Sequence, residues 1–288
     1  MPGQRSGVFL DATPETLDYL KDAHALCETL TPLRYPMIVP PLDWEGTTGG
    51  GFLTYPTARR AKLIKSRVRE HHKAQGEMPE VLAAVNTLQH TAWRINTKVL
   101  NVVMEVWDSS DGLGVLPDLR DPAVLLPPKP WSSDEEYNAL VNDITGKKVV
   151  LDWRRRAADI YDKFNRERSK RLAAAQQISI ANMLKDEEEL FFVMYLDWRG
   201  RMYPVQNYLT PQGNDAGVAL LEFATGKPLG ERGAYWLAVH TANAFGFDKA
   251  SFDERVTWVH EHEEEIRDSV EHPITGGRFW TTADSSLR

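Results

Sequence analysis

The 288-residue sequence holds a single cysteine, Cys27, which excludes an internal disulfide and a cysteine-built zinc cluster and suits a reducing compartment. No apolar run approaches the ~18 residues of a membrane span. The opening stretch MPGQRSGVFLDATPE lacks the apolar core of a signal peptide, so a cytoplasmic location is expected. Familiar catalytic signatures are also missing. There is no Gly-x-Ser-x-Gly, no His-Glu-x-x-His and no Gly-x-Gly-x-x-Gly. The glycine-rich stretch 46–51 has no Gly-Lys-Ser/Thr ending and reads as a tight turn rather than a phosphate loop. His260 and His262 stand among acids, but residues two apart do not share a helix face, so a solvated acidic helix is expected there, not a metal site. What is present is an ordinary globular mix, 42% hydrophobic and 26% charged, which excludes a disordered or fibrous chain. At about 150 residues per domain the length allows one or two domains.

The net charge of −7 argues weakly against a nucleic-acid binder, but the charges are segregated. Residues 59–73 carry seven Lys/Arg against one acid, and residues 147–171 carry ten against four. Residues 248–271 carry nine acids against three basic residues. Screening acts within about 10 Å, so two basic islands in an acidic chain are compatible with a nucleic-acid groove. Without other evidence they read as solvated helix faces.

Proline pushes the segment 33–41 into an extended form. Apolar residues at Val81, Val85, Leu88, Ala92, Ile95, Val99, Val102 and Val106 repeat at alternating steps of four and three, predicting one continuous helix from Pro79 to Trp107. Residues 108–131 form a Gly/Pro-rich break. Ser132 to Glu135 fits a capping box that starts a helix, interrupted near Gly146 and resuming at about Lys148 with Trp153, Ala157, Ile160 and Phe164 as its apolar stripe. Its other faces carry Arg154, Arg155, Arg156, Lys163, Arg166, Arg168, Lys170 and Arg171. A further helix over about 178–190 is expected before a buried strand at 191–196, with helices at about 232–245 and 251–271.

That strand delivers Asp197-Trp198-Arg199-Gly200-Arg201-Met202-Tyr203. Arginine offers a planar donor fork that matches phosphate, and Gly200 permits a tight turn. Asp197 can pair with one arginine and fix its direction, and Trp198 and Tyr203 supply ring faces. On physical grounds the segment is either a phosphate-backbone contact or a structural ion-pair network.

The stretches PLRYPMIVPPLDWEGTTGGGF (32–52), MPEVLAAVNTLQHTAWRINTKVL (78–100), YLDWRGRMYPVQNYLTPQGND (195–215) and FATGKPLGERGAYWLAVHTAN (223–243) resemble, in order, those of the single-subunit, bacteriophage-type DNA-directed RNA polymerases. The resemblance implies a right-hand polymerase fold, mainly α and α+β overall. It implies the C-terminal part of the N-terminal domain over 1–130, a thumb-like helical arm over 131–187 and the beginning of the palm over 188–288. The matching Asp-Trp-Arg-Gly-Arg-x-Tyr motif implies nucleic-acid contacts by Arg199, Arg201 and Tyr203, and the thumb by Arg166, Arg168, Lys170 and Arg171. Implied partners are the DNA template, the RNA transcript, their hybrid and nucleoside triphosphates, with no membrane; a phage-encoded chain would act in the host cytoplasm. The family works with two Mg2+ ions held by palm aspartates. Their contexts, Asp-Gly-Ser/Thr and His-Asp, do not occur in these residues, and neither does the fingers' Tyr-Gly. Asp111-Gly112 is followed by Leu113. No catalytic or metal-binding residue is therefore expected here. An interior segment, inactive without the remaining palm and fingers, is the expectation, with a non-catalytic nucleic-acid-binding module as the alternative. Val218-Ala219 departs from the basic residue and glycine that relatives commonly carry after Asn-Asp.

Overall fold

The computed structural model describes Thr13, Glu15 and residues 34–54, 61–66, 78–109, 112–114, 116–117 and 126–287. Cys27, most of the 59–73 island, Asp111 and much of the 108–131 break lie outside the described residues. In chain order the elements are β1 (Ile64–Lys65), α1 (Pro79–Gln89), β2 (Trp93–Ile95), α2 (Thr97–Ser109), α3 (Asp134–Asn142), α4 (Ile144–Leu184), β3 (Met194–Asp197), β4 (Met202–Pro204), α5 (Asp215–Ala219), β5 (Leu221–Phe223), α6 (Gly233–Phe245), α7 (Phe252–Glu261) and α8 (Glu263–Glu271), then a 3-10 turn at Phe279–Thr282. The chain is mainly helical with small sheets, as expected. Residues 34–288 form one unit, described here by itself.

A three-stranded sheet of order β1-β3-β4 joins segments far apart in sequence. β1 runs parallel to β3, with Lys65 opposite Asp197, and β3 runs antiparallel to β4, with Tyr195 opposite Tyr203. A second pair, β2 and β5, is antiparallel. The core collects Trp44, Leu63, Val85, Leu100, Val103, Leu190, Phe192, Val193, Leu209 and Leu220, all at most 1–2% exposed, around these sheets. The extended segment and its glycine turn appear as read: Leu42 and Gly51 exchange backbone hydrogen bonds at 2.8 Å, and Met37 pairs with Phe191.

The single helix expected over 79–107 is two helices with a strand between. Trp93 exchanges backbone hydrogen bonds with Leu190, and β2 pairs with β5, so tertiary pairing captures the backbone where the stripe would have continued. Asn96 then restarts the helix, its Oδ1 accepting from the Val99 N–H at 3.2 Å. Consequently Val81 and Leu88, read as core, are exposed, while Val85, Ile95 and Val106 are buried. Gln89 is buried instead, donating from Nε2 to the Leu42 carbonyl at 2.9 Å.

The α3 cap sits one residue later than read. Ser133 accepts from the Glu136 N–H, and Glu136 Oε2 accepts from the Ser132 N–H at 2.7 Å. The break before α4 falls at Asp143, whose side chain caps by accepting from the Gly146 N–H at 2.7 Å. From there α4 runs unbroken for 41 residues, ~60 Å at 1.5 Å per residue, in place of two separate helices. Residues 185–190 are not helical, and the strand starts at Met194 rather than 191. The α7–α8 stretch is also interrupted, at His262, whose ring stacks on Trp258 and Phe279 and whose Nδ1 lies 2.8 Å from the Trp258 carbonyl oxygen. His262 is thus a packing residue, not a solvated one.

Candidate nucleic-acid interface

The β3–β4 connection is a tight hairpin. The Asp197 N–H donates to the Arg201 carbonyl at 2.9 Å, and the Gly200 N–H donates back to the Asp197 carbonyl at 3.0 Å. Gly200 takes φ +81°, the left-handed position that a turn of this length needs and that glycine adopts without strain. Alternation then sorts the strands: Met194 and Leu196 face the core, while Tyr195 and Asp197 share the other face with Tyr203.

Asp197 organises the loop. Its Oδ1 accepts from the backbone N–H groups of Arg199 (2.8 Å) and Arg201 (2.9 Å). Its Oδ2 accepts from Arg199 Nε (3.0 Å) and Nη2 (2.9 Å). Burial pushes this carboxyl upward, but the hydrogen bonds from Arg201 and Arg199, together with the Arg199 charge, prevail and hold it below the usual carboxylate range. Arg199 is therefore half committed: its fork is aimed by Asp197, and its guanidinium carbon lies 5.4 Å from the exposed Trp198 ring. Arg201 differs. Its backbone is fixed, yet its guanidinium makes no hydrogen bond or ion pair among the described residues, and the residue is exposed. Tyr203 is half-buried and pairs across the strands with Tyr195, ring centroids 5.8 Å apart.

The second group lies on α4. Its first turns pack on α3, with Val150 and Ala157 buried, and its last turns enter the core through Ile180, Ala181 and Leu184, with Ala174 and Gln177 also buried. Between Ala157 and Ala174 no side chain is buried, so the middle of the helix stands clear as an arm. Trp153, Ile160 and Phe164, read as its stripe, are only half-buried there. The arm holds Arg166, exposed and without a partner among the described residues; Lys170, paired with Glu167 at 2.9 Å; and Arg168 and Arg171, both half-buried and engaged. The two groups are joined through Gln177, which donates to the Tyr208 carbonyl (3.0 Å) and to Asn214 Oδ1 (2.7 Å) in the loop after β4. Asn214 in turn caps α5. Sequence reading missed Gln177 and Asn214 as supports, and it missed Tyr195; strict alternation from Asp197 back to Tyr195 was the available signal. Val218 and Ala219, the departures from the family pattern, lie in α5, where Ala219 is buried.

Residues 2–90 match the family described as DNA-directed RNA polymerase N-terminal, and residues 227–288 match DNA-dependent RNA polymerase. The DNA-directed RNA polymerase of Enterobacteria phage T3 is 35% identical over 284 residues, 96% of this chain and 30% of the relative. T7 RNA polymerase of Escherichia phage T7 is 34% identical over 284 residues, again 96% of this chain and 30% of the relative. The mitochondrial DNA-directed RNA polymerase 1B of Nicotiana tabacum is 35% identical over 259 residues, 88% of this chain and 24% of the relative. The chain belongs to the phage-type, single-subunit DNA-directed RNA polymerase family. It spans 30% or less of the length of these curated relatives.

Proposed function

We propose that this chain serves a DNA-directed RNA polymerase, which makes RNA on a DNA template by nucleotidyl transfer, and that it grips the backbone of the template and of the RNA–DNA hybrid. In this reading residues 1–130 belong to the N-terminal domain, 131–187 form the thumb and 188–288 begin the palm. Arg199, Arg201 and Tyr203 hold nucleic acid close to the reaction; Arg166, Arg168, Lys170 and Arg171 hold it farther out along the arm. The observation that carries the reading is the Arg201 guanidinium, delivered by a rigid hairpin and left without a protein partner among the described residues. An exposed, aimed and uncommitted fork suits a phosphate.

Two magnesium ions supply the family's chemistry by polarising the reacting phosphate oxygens. The described residues do not fit them: no group of three or more His, Cys, Asp or Glu side chains among them converges on a metal position. The contribution proposed for this chain is electrostatic grip and alignment, with nucleoside triphosphates as partners of the whole enzyme. No helix among the described residues is long and apolar enough to cross a membrane. Action in a host cytoplasm follows if the chain is phage-encoded.

The test is binding of a labelled RNA–DNA hybrid against salt. Each phosphate contact releases counterions, so loss of one contact lowers the log–log salt slope by about 1. Arg201→Ala is expected to show that loss equally on hybrids of different sequence, because phosphate contacts carry no base information. Arg201→Lys is expected to recover only part of the affinity, since an ammonium cannot reproduce the fork. Unchanged affinity and slope in Arg201→Ala would leave the hairpin as a structural ion-pair network.

A further inference from the structure

Among the described members of the basic island at 59–73, Lys65 lies beside the hairpin. Lys65 ends β1, and its ammonium nitrogen lies 3.6 Å from the centroid of the Tyr195 ring on β3. The parallel register sets Lys65 directly beside Asp197. Asp197 faces Arg201 across the hairpin through the Asp197 N–H to Arg201 carbonyl bond. One row across the sheet is thus Lys65, Asp197, Arg201, in strand order, with Tyr195 and Tyr203 forming the adjacent row.

The middle carboxylate pairs with Arg199 and, among the described residues, makes no ion pair with Lys65 or with the Arg201 guanidinium. Both Asp197 oxygens are taken, Oδ1 by two backbone N–H groups and Oδ2 by the Arg199 fork. Lys65 forms no ion pair among the described residues and is exposed. An aromatic face attracts a cation and orients it without cancelling its charge, so the ring presents the ammonium rather than quenching it. Lys65 and Arg201 are two strands apart, about 10 Å between Cα atoms at the ordinary ~4.8 Å strand spacing. Long side chains on such a base reach neighbouring phosphates of one strand.

We propose that Lys65 is a further phosphate-contact residue of this site, posed by the Tyr195 ring, so that the nucleic-acid backbone crosses the sheet from Arg201 on β4's side to Lys65 on β1. The inference rests on the phosphate reading of the hairpin given above, and it ties a residue from the N-terminal third of the chain to the same backbone.

The experiment uses the full chain and a labelled RNA–DNA hybrid of mixed sequence, with anisotropy titrations over a series of sodium chloride concentrations. Lys65→Gln is expected to lower the log–log salt slope by between about 0.7 and 0.9, one phosphate's worth. Lys65→Arg is expected to keep the slope, and Lys65→Gln with Arg201→Ala to lose about twice as much as either alone. Tyr195→Leu, which removes the ring and keeps the bulk, should weaken binding without removing the charge. Thermal melts of each variant separate a strut from a contact: a strut lowers the melting temperature and leaves the slope alone. If Arg201→Ala lowers the slope and Lys65→Gln does not, Lys65 only braces Tyr195; this inference falls and the hairpin reading stands. If neither variant moves the slope, the hairpin reading falls and takes this inference with it.

Discussion

Asp197 shows how one carboxylate can make two arginines different. By accepting from both backbone N–H groups it builds the turn, and by accepting from the Arg199 fork it sets the direction of that guanidinium. The hydrogen bonds favour its charged form, so its pKa in the fold lies below the ordinary ~3.9. A carboxyl held low in the folded state contributes stability that is present above the unfolded pKa and is lost as pH falls through the folded one. The hairpin is therefore expected to keep its order from neutral pH down to about pH 4 and to loosen only below it. A carboxyl-carbon NMR titration of Asp197 checks this; a midpoint at or above the ordinary value would contradict the bonding described. Asp197→Asn is expected to free the Arg199 fork and loosen the turn at every pH, seen as increased disorder at Trp198.

At the scale of elements, periodicity identified apolar faces and failed where the backbone had a partner from far away. Steps of four and three from Val81 to Val106 fit one helix, and nothing local marks Trp93–Ile95 as a strand. Its partners, Leu190 and Leu221–Phe223, are about 100 to 130 residues downstream. The hairpin was more legible because its determinants are local: an acid, two arginines and a glycine within five residues. Its Lys65 neighbour was visible only as one charge in a run. Gly146 is a third kind of case. It read as a helix interruption, but it sits within the first turn of α4, where an added Cβ would press on the Leu140 carbonyl and on its Cα at 2.7 Å. Glycine is there for close approach of α3 to α4. Gly146→Ala is expected to force the pair apart at a cost of about 1–3 kcal/mol. The readout is the near-ultraviolet signal of Trp131 and Trp153, whose rings lie 5.0 Å apart between the two helices. An unchanged signal would show that the junction yields without opening.

At the scale of the molecule, burial among the described residues is uneven in a way that separates arm from scaffold. The core draws on Leu63 of the N-terminal third, Val103 of α2, Ile180 of α4 and Val193 beside β3, so these parts stabilise one another. The α3–α4 end is held mainly by its own short helix pair, with a bare stretch of α4 between it and the core. Such a layout makes the core one cooperative unit and the arm a locally unfolding one. Leu63→Ala, at a residue with 0% exposure whose carbonyl accepts from the Leu196 N–H at 2.6 Å, is expected to cost about 2–5 kcal/mol. That loss should appear together in α1, α2, β3 and the last turns of α4. Gly146→Ala should instead speed exchange only in α3 and the first turns of α4, leaving Leu100, Val103 and Val193 protected. Native-state hydrogen exchange on the two variants distinguishes the tiers. If Gly146→Ala lowers protection throughout the core as Leu63→Ala does, the arm is coupled rigidly to the scaffold and does not move independently of it.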